Sequence, residues 1–182
     1  RVDRLIRAKL DANQQVSVSD LRAWQANNQP LDAELLRPAL LTAFDNAGAT
    51  GAWSQLAALR ADPAVAEAVG RIRAWDLSTP TGIREGYDPG DNPANLPEPS
   101  ATEVANSVGA TLYTMWRNQT VRNVLDATLT RVGLGSQLPG NEESLRAIKN
   151  LFDTRGGRNF TALHLSGEFP WTGVDSNTQA NV

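Results

Sequence analysis

Apolar residues return every three or four positions through most of this chain, and that rhythm commits it to amphipathic helices, because successive turns of a helix bring such residues onto one stripe. Val2, Leu5, Ile6 and Leu10 form the first stripe and predict a helix running to about Asn13. Ser17-Val18-Ser19-Asp20 restarts the helix. The Ser17 hydroxyl can accept from a free amide of the first turn, and Asp20, three residues on, makes an acidic variant of the capping box at the positive end of the dipole. Leu21 and Trp24 are expected to face inward, and the polar run from Gln25 to Gln29 leads to Pro30, where a break or bend is expected.

Leu31, Leu35, Leu36, Leu40, Leu41 and Phe44 repeat for a third helix, which Pro38 should kink by removing one amide donor. Gly48 and Gly51 mark a turn, and Trp53, Leu56, Ala57 and Leu59 a short helix. Asp62-Pro63 has the order of an N-cap followed by proline at the first helical position, with Val65, Val69, Ile72 and Trp75 as the buried side. From Leu77 to Ser100 the rhythm stops, and Pro80, Pro89, Pro93, Pro97 and Pro99 among Gly82, Gly86 and Gly90 argue against regular structure. It resumes with Val104, Val108, Leu112, Met115 and Gln119 on one side, continued by Trp116, Val121, Val124, Leu125, Leu129 and Val132. This is the longest expected element, stopped by Gly133 and Gly135 in the left-handed conformation. Asn141 is expected to cap a last helix with Leu145, Ile148, Leu151 and Phe152 inward and Gly156-Gly157 at its end. Phe160 to Trp171 fits a short strand or an irregular tail, and the polar end from Asp175 a frayed terminus or linker.

The organisation so read is a mainly α, irregular helical array. N-terminal helices occupy 1–76, a Pro/Gly-rich loop 77–100, C-terminal helices of the same domain 101–157, and an irregular tail or short strand 158–182. No fixed-period repeat links the helices, which argues against a solenoid. With 182 residues, 41% of them hydrophobic, the chain can bury a core without disulfide or metal support. Cysteine is absent, which excludes disulfides, thiolate nucleophiles and zinc–sulfur sites. A net charge of −3 with scattered basic residues gives no footprint for nucleic acid or for an acidic membrane surface. No apolar run approaches the roughly 20 residues that cross a bilayer. The chain opens at Arg1, inside a helical pattern and without initiator Met or leader, so a piece of a larger protein is expected.

No catalytic, cofactor-binding or metal residue is expected in this chain. His164 is the one histidine, with Ser166 two residues on. On a strand both would point the same way, yet a nucleophile also needs an orienting acid and oxyanion donors, so a structural or surface role is expected. Asp88-Pro89-Gly90-Asp91-Asn92 collects oxygen ligands of the kind calcium accepts, against the commoner reading as a turn. Glu142 and Glu143 point to different sides of a first helical turn, where they favour the dipole instead of forming a catalytic pair. Gly133-Leu134-Gly135 lacks the strand and helix start of a dinucleotide site. Trp24, Trp53, Trp75 and Trp116 read as core, not as a ligand cage. Asn118-Gln119-Thr120 and Asn159-Phe160-Thr161 match the glycosylation acceptor pattern, the first of them mid-helix.

Several pieces, in order, resemble the middle of the large chain of penicillin acylases and acyl-homoserine-lactone acylases. Arg4-Leu5-Ile6 with Leu10, then Val18-Ser19-Asp20-Leu21 and Gln25, are similar to the family's helix pair, in which an "eDm" turn precedes "QxDxxS". Leu35-Leu36-Arg37-Pro38 with Leu40-Leu41 resembles "lxP-ll", Ile72-Arg73-Ala74-Trp75-Asp76 resembles "LxxWDG", and Ser107 to Leu112 with Trp116 resembles "SxxAtLfxxW". The resemblance covers Arg1 to Arg131 and departs from the family at three places: Asn27 stands for Asp, Pro30 for Ser and Leu77 for Gly. It implies a segment of a larger α+β N-terminal-nucleophile hydrolase, bacterial and periplasmic or secreted, that cleaves amides of hydrophobic acyl groups. The implied partners are the small chain, the catalytic sandwich and an acyl amide substrate. The nucleophile and oxyanion groups would lie outside this sequence, as would the calcium the family often binds. The alternative is a free-standing helical interaction module whose Pro/Gly loop presents a partner surface.

Overall fold

The computed structural model describes residues 1–49, 54–84, 91–92 and 94–155, and among these the chain is mainly helical, with no strand. The helices are α1 (Val2–Asp11), α2 (Val18–Ala26), α3 (Leu31–Asn46), α4 (Ser54–Ala61), α5 (Pro63–Ala74), α6 (Ala101–Thr120), α7 (Ala127–Arg131) and α8 (Asn141–Arg155). A π-helical turn, Val121–Asp126, joins α6 to α7, and a 3₁₀ turn, Gly135–Gln137, precedes α8. The Thr120 hydroxyl donates to the Trp116 carbonyl at 3.0 Å just ahead of the π turn, the kind of back-bond that loosens a helical ladder. The long apolar run is therefore one rod with a widened turn in it.

The helix starts follow local chemistry. Asp20 N–H donates to Ser17 Oγ, and Ser17 N–H returns to the Asp20 carboxylate, so the acidic capping box forms as its sequence predicts. Asp62 accepts from the amides of Ala64 and Val65 with Pro63 behind it. Ser100 and Glu103 build a second capping box at α6, from a Ser-x-x-Glu signal present in the sequence. At the far end of α7, Gly133 takes φ +83° while its N–H reaches Thr130 and the next one Leu129, a Schellman stop. Gly135 does not share that role, since it opens the 3₁₀ turn.

The core lies where α3, α5, α6 and α8 meet. It holds Ala33, Leu36, Ile72, Trp75, Ala110, Tyr113 and Ile148, with Leu40, Leu112, Trp116, Leu145 and Phe152 packed against it. Two expected faces are corrected here. On α6 the buried residues are Asn106, Gly109, Ala110 and Tyr113, while Met115 is 65% exposed and Val104 is exposed too, because α5 approaches on the small-residue side. Neither α1 nor α2 buries a residue fully, and Leu10 and Leu21 face outward, leaving Leu5 and Trp24 half-buried. Pro38 lies inside α3 at an exposed position and the helix continues past it to Asn46. Asn141 is the first helical residue of α8 and not its cap: the Gly140 carbonyl already accepts from Ser144 N–H at 2.9 Å.

Asp20 ties α2 to α1 through Lys9, whose ammonium lies 2.9 Å from its carboxylate. The Ser17 hydroxyl and N–H, and then Lys9, hold the Asp20 carboxyl down at about 2. A depressed carboxyl contributes stability that is complete above its ordinary value of 3.8 and is lost as pH falls through about 2. The α1–α2 junction is therefore expected to stay intact at pH 4 and loosen only toward pH 2. Carboxyl-carbon titration by NMR should give a midpoint near 2 for Asp20, and one at the ordinary value would contradict the bonding described.

Candidate functional site

Trp75-Asp76, one of the segments that resemble the family, stands at the junction of α5, α6 and the loop that follows. Trp75 is buried, with its ring 5.4 Å from that of Tyr113 and tilted 35° to it. Its indole N–H donates to the Ser78 carbonyl, and Arg37 of α3 donates to the Trp75 carbonyl at 2.5 Å. Gly109 makes the crossing possible, because a Cβ there would stand 2.8 Å from Trp75 Cβ. Asp76 turns the chain by accepting from the Ser78 N–H at 2.8 Å and hydroxyl at 2.6 Å, and its own N–H points to Asn106 Oδ1 at 3.5 Å. Burial pushes the Asp76 carboxyl up, but the Ser78 and Asn106 hydrogen bonds outweigh it, and the net effect lowers its pKa. Asp76 is therefore an ionised acceptor held in a turn.

The next residue, Leu77, has φ +75°. A leucine there strains the backbone by roughly 1–2 kcal/mol, because its Cβ crowds the following carbonyl. A glycine would adopt this backbone without strain, and Leu77 packs its side chain against the core. Leu77→Ala and Leu77→Gly lose the same packing, but only glycine relieves the strain. Thermal and urea unfolding should find the glycine variant more stable than the alanine variant by about 1 kcal/mol. Equal stabilities would place this turn in another conformation.

A second cluster fastens α3 to α6. Asp32, in the first turn of α3, accepts from the Tyr113 hydroxyl at 2.9 Å and from Arg117 Nη1 at 3.0 Å. Burial first, then the adjacent Asp32 carboxylate, raises the Tyr113 phenol far above its ordinary value. Tyr113 therefore stays protonated and donates a hydrogen bond; it is no base or nucleophile at working pH.

A third cluster pins the α2–α3 linker. Thr79 donates its N–H to Asn28 Oδ1 at 2.9 Å and its hydroxyl to the Asn28 carbonyl at 2.7 Å. Asn27 Oδ1 accepts from Gln29 N–H at 3.2 Å, a bond an aspartate at this position could make equally. In all three clusters the named polar groups bind other parts of the chain.

The remaining candidate residues do not join these clusters. His164, Ser166, Asp88, Pro89, Gly90, Trp53 and the second glycosylation triplet lie outside the described residues. Asn92 Oδ1 accepts from Ala94 N–H at 3.0 Å, the bond of an Asx turn. Glu142 pairs with Arg146 along α8. Asn118 is helical and meets its neighbour Arg117, as its mid-helix position requires. Trp75 is core, Trp24 and Trp116 are half-buried, and Trp116 lies 5.9 Å from Tyr113. Among the described residues no three of His, Asp and Glu converge, and no helix is long and apolar enough to cross a membrane.

These features define a helical array whose described polar clusters lock crossings and turns. The penicillin amidase family model matches residues 1–180, and the chain belongs to that family. The match extends past Arg131, where the motif resemblance stopped. No curated protein and no solved structure matches the chain.

Proposed function

We propose that this chain is the helical scaffold segment of a penicillin-acylase-like amidohydrolase acting on amides of hydrophobic acyl groups, and that it is non-catalytic by itself. The observation that carries the reading is family membership across residues 1–180. The clusters at Trp75, Asp32 and Asn28 support it: their polar groups are spent on holding helices together, and the one phenol among them is kept protonated. In this reading the nucleophile, its base and the oxyanion donors belong to polypeptide outside the sequence given. The segment packs against that catalytic part and shapes access to the acyl pocket. Calcium, where the enzyme holds it, sits outside this segment, and the enzyme works in the periplasm or after secretion.

A chromogenic phenylacetyl anilide tests the proposal. The 182-residue chain should release no anilide above the buffer rate, whereas the protein made from the full reading frame should release it. Turnover by the isolated chain would overturn the non-catalytic assignment. A full-length protein that binds partners but hydrolyses no acyl amide would favour an interaction module.

A further inference from the structure

The α1–α2 hairpin is attached to the molecule differently from every element of the core. Neither helix buries a residue fully, and of their large apolar side chains only Leu5 and Trp24 are half-buried. Polar contacts link it to the body. Arg4 meets Glu34 of α3 through both terminal guanidinium nitrogens, at 2.7 and 3.1 Å, and Arg1 Nη1 donates to the Gln29 carbonyl at 3.1 Å. Inside the hairpin, the Lys9–Asp20 pair at 2.9 Å couples the two helices. The linker that follows is held on the body by the paired Asn28–Thr79 hydrogen bonds. A pinned linker, two helices tied by one ion pair, and an attachment made of surface charges and two half-buried apolar side chains together describe a strap on a hinge.

The energies have the matching order. An exposed ion pair changes a local equilibrium only a few-fold. Burial of side chains such as Ile72 and Tyr113 shifts it by orders of magnitude, so the hairpin lets go long before the core does. We infer that α1 and α2 open together about the 27–30 linker while α3, α5, α6 and α8 stay packed, with the Arg4–Glu34 pair setting the open fraction. This conformational device is independent of the proposed activity. Opening bares the undersides of Leu5 and Trp24 and leaves the Trp75 and Tyr113 clusters undisturbed.

Native-state amide exchange on the 182-residue chain tests the inference. The amides of α1 and α2 should share one opening rate, at least about 100-fold faster than the amides of Ile72, Ala110 and Tyr113. Raising salt from about 0.01 M to about 1 M, which shortens the screening length from roughly 30 to 3 Å, should speed that opening alone. Arg4→Gln and Glu34→Gln should each accelerate it about threefold and abolish most of its salt dependence, with no change in α6. Because Glu34 also accepts from Gln29, the Arg4 variant carries the test if the Glu34 variant perturbs the linker. Equal protection of α1 and Tyr113, different opening rates in α1 and α2, or acceleration of α6 along with α1 would each overturn the strap.

Discussion

Replacing Tyr113 by alanine is expected to cost about 4 kcal/mol of unfolding free energy, close to the whole margin of a marginally stable domain. The ring is fully buried, lies between Trp75 and Trp116, and carries the hydroxyl that holds Asp32. Truncation therefore opens a cavity at the meeting point of α3, α5 and α6 and leaves the Asp32 carboxylate with Arg117 alone. Tyr113→Phe separates the two contributions: it keeps the ring and removes only the hydrogen bond, at a cost of about 1 kcal/mol. Urea unfolding followed by far-UV circular dichroism reads both values. A loss below about 1 kcal/mol for the alanine variant would mean that this ring is not the centre of the core.

The second large effect contrasts two glycines with opposite expected signs. At Gly109 an added Cβ would lie 2.8 Å from Trp75 Cβ, 3.0 Å from its Cγ and 3.3 Å from the Arg71 carbonyl. The first of these atoms is the root of a buried side chain and the last is backbone, so α5 and α6 must separate for the methyl to fit. Gly109→Ala is expected to destabilise by about 2–3 kcal/mol. At Gly70, on α5, a Cβ meets nothing within 4 Å, and the position is exposed in a helix interior. Gly70→Ala should stabilise by about 1 kcal/mol. Melting temperatures of the two variants should move in opposite directions. A shift of the same sign would place the α5–α6 crossing elsewhere along the rod.

Those two residues also explain what the sequence revealed and what it withheld. Helix starts were legible at Ser17 and Asp62, because a cap is made by atoms three residues apart and needs no tertiary information. The inward face of α5, with Val69, Ile72 and Trp75, was legible for a related reason: its apolar stripe is narrow and admits one orientation. The stop at Gly133 followed from its left-handed backbone. On α6, counting apolar residues selected Leu112, which does pack on the core, but also Val104 and Met115, which are exposed; the helix buries Asn106, Gly109 and Ala110, since close approach is decided by the absence of side chain. Hydropathy cannot see that preference.

The stripe of α1 was real as a pattern and misled as to burial: Val2, Ile6 and Leu10 are apolar, periodic and exposed. The polar clusters were hidden for a different reason, since Asp32 and Tyr113 are 81 residues apart, as Asn28 and Thr79 are 51 apart, and no local rule joins them. The family motif at Trp75-Asp76 falls on the buried crossing of α5 and α6. What it could not supply was the left-handed backbone of the following residue, Leu77.

On the proposed reading, these residues supply the scaffold and the reactive group lies elsewhere in the enzyme. Labelling the full-length protein with a serine-directed sulfonyl fluoride, followed by peptide mass mapping, tests it most directly. Anilide hydrolysis should be lost in step with a single adduct on a residue outside these 182. A stoichiometric, inactivating adduct on any residue from Arg1 to Val182 would contradict it.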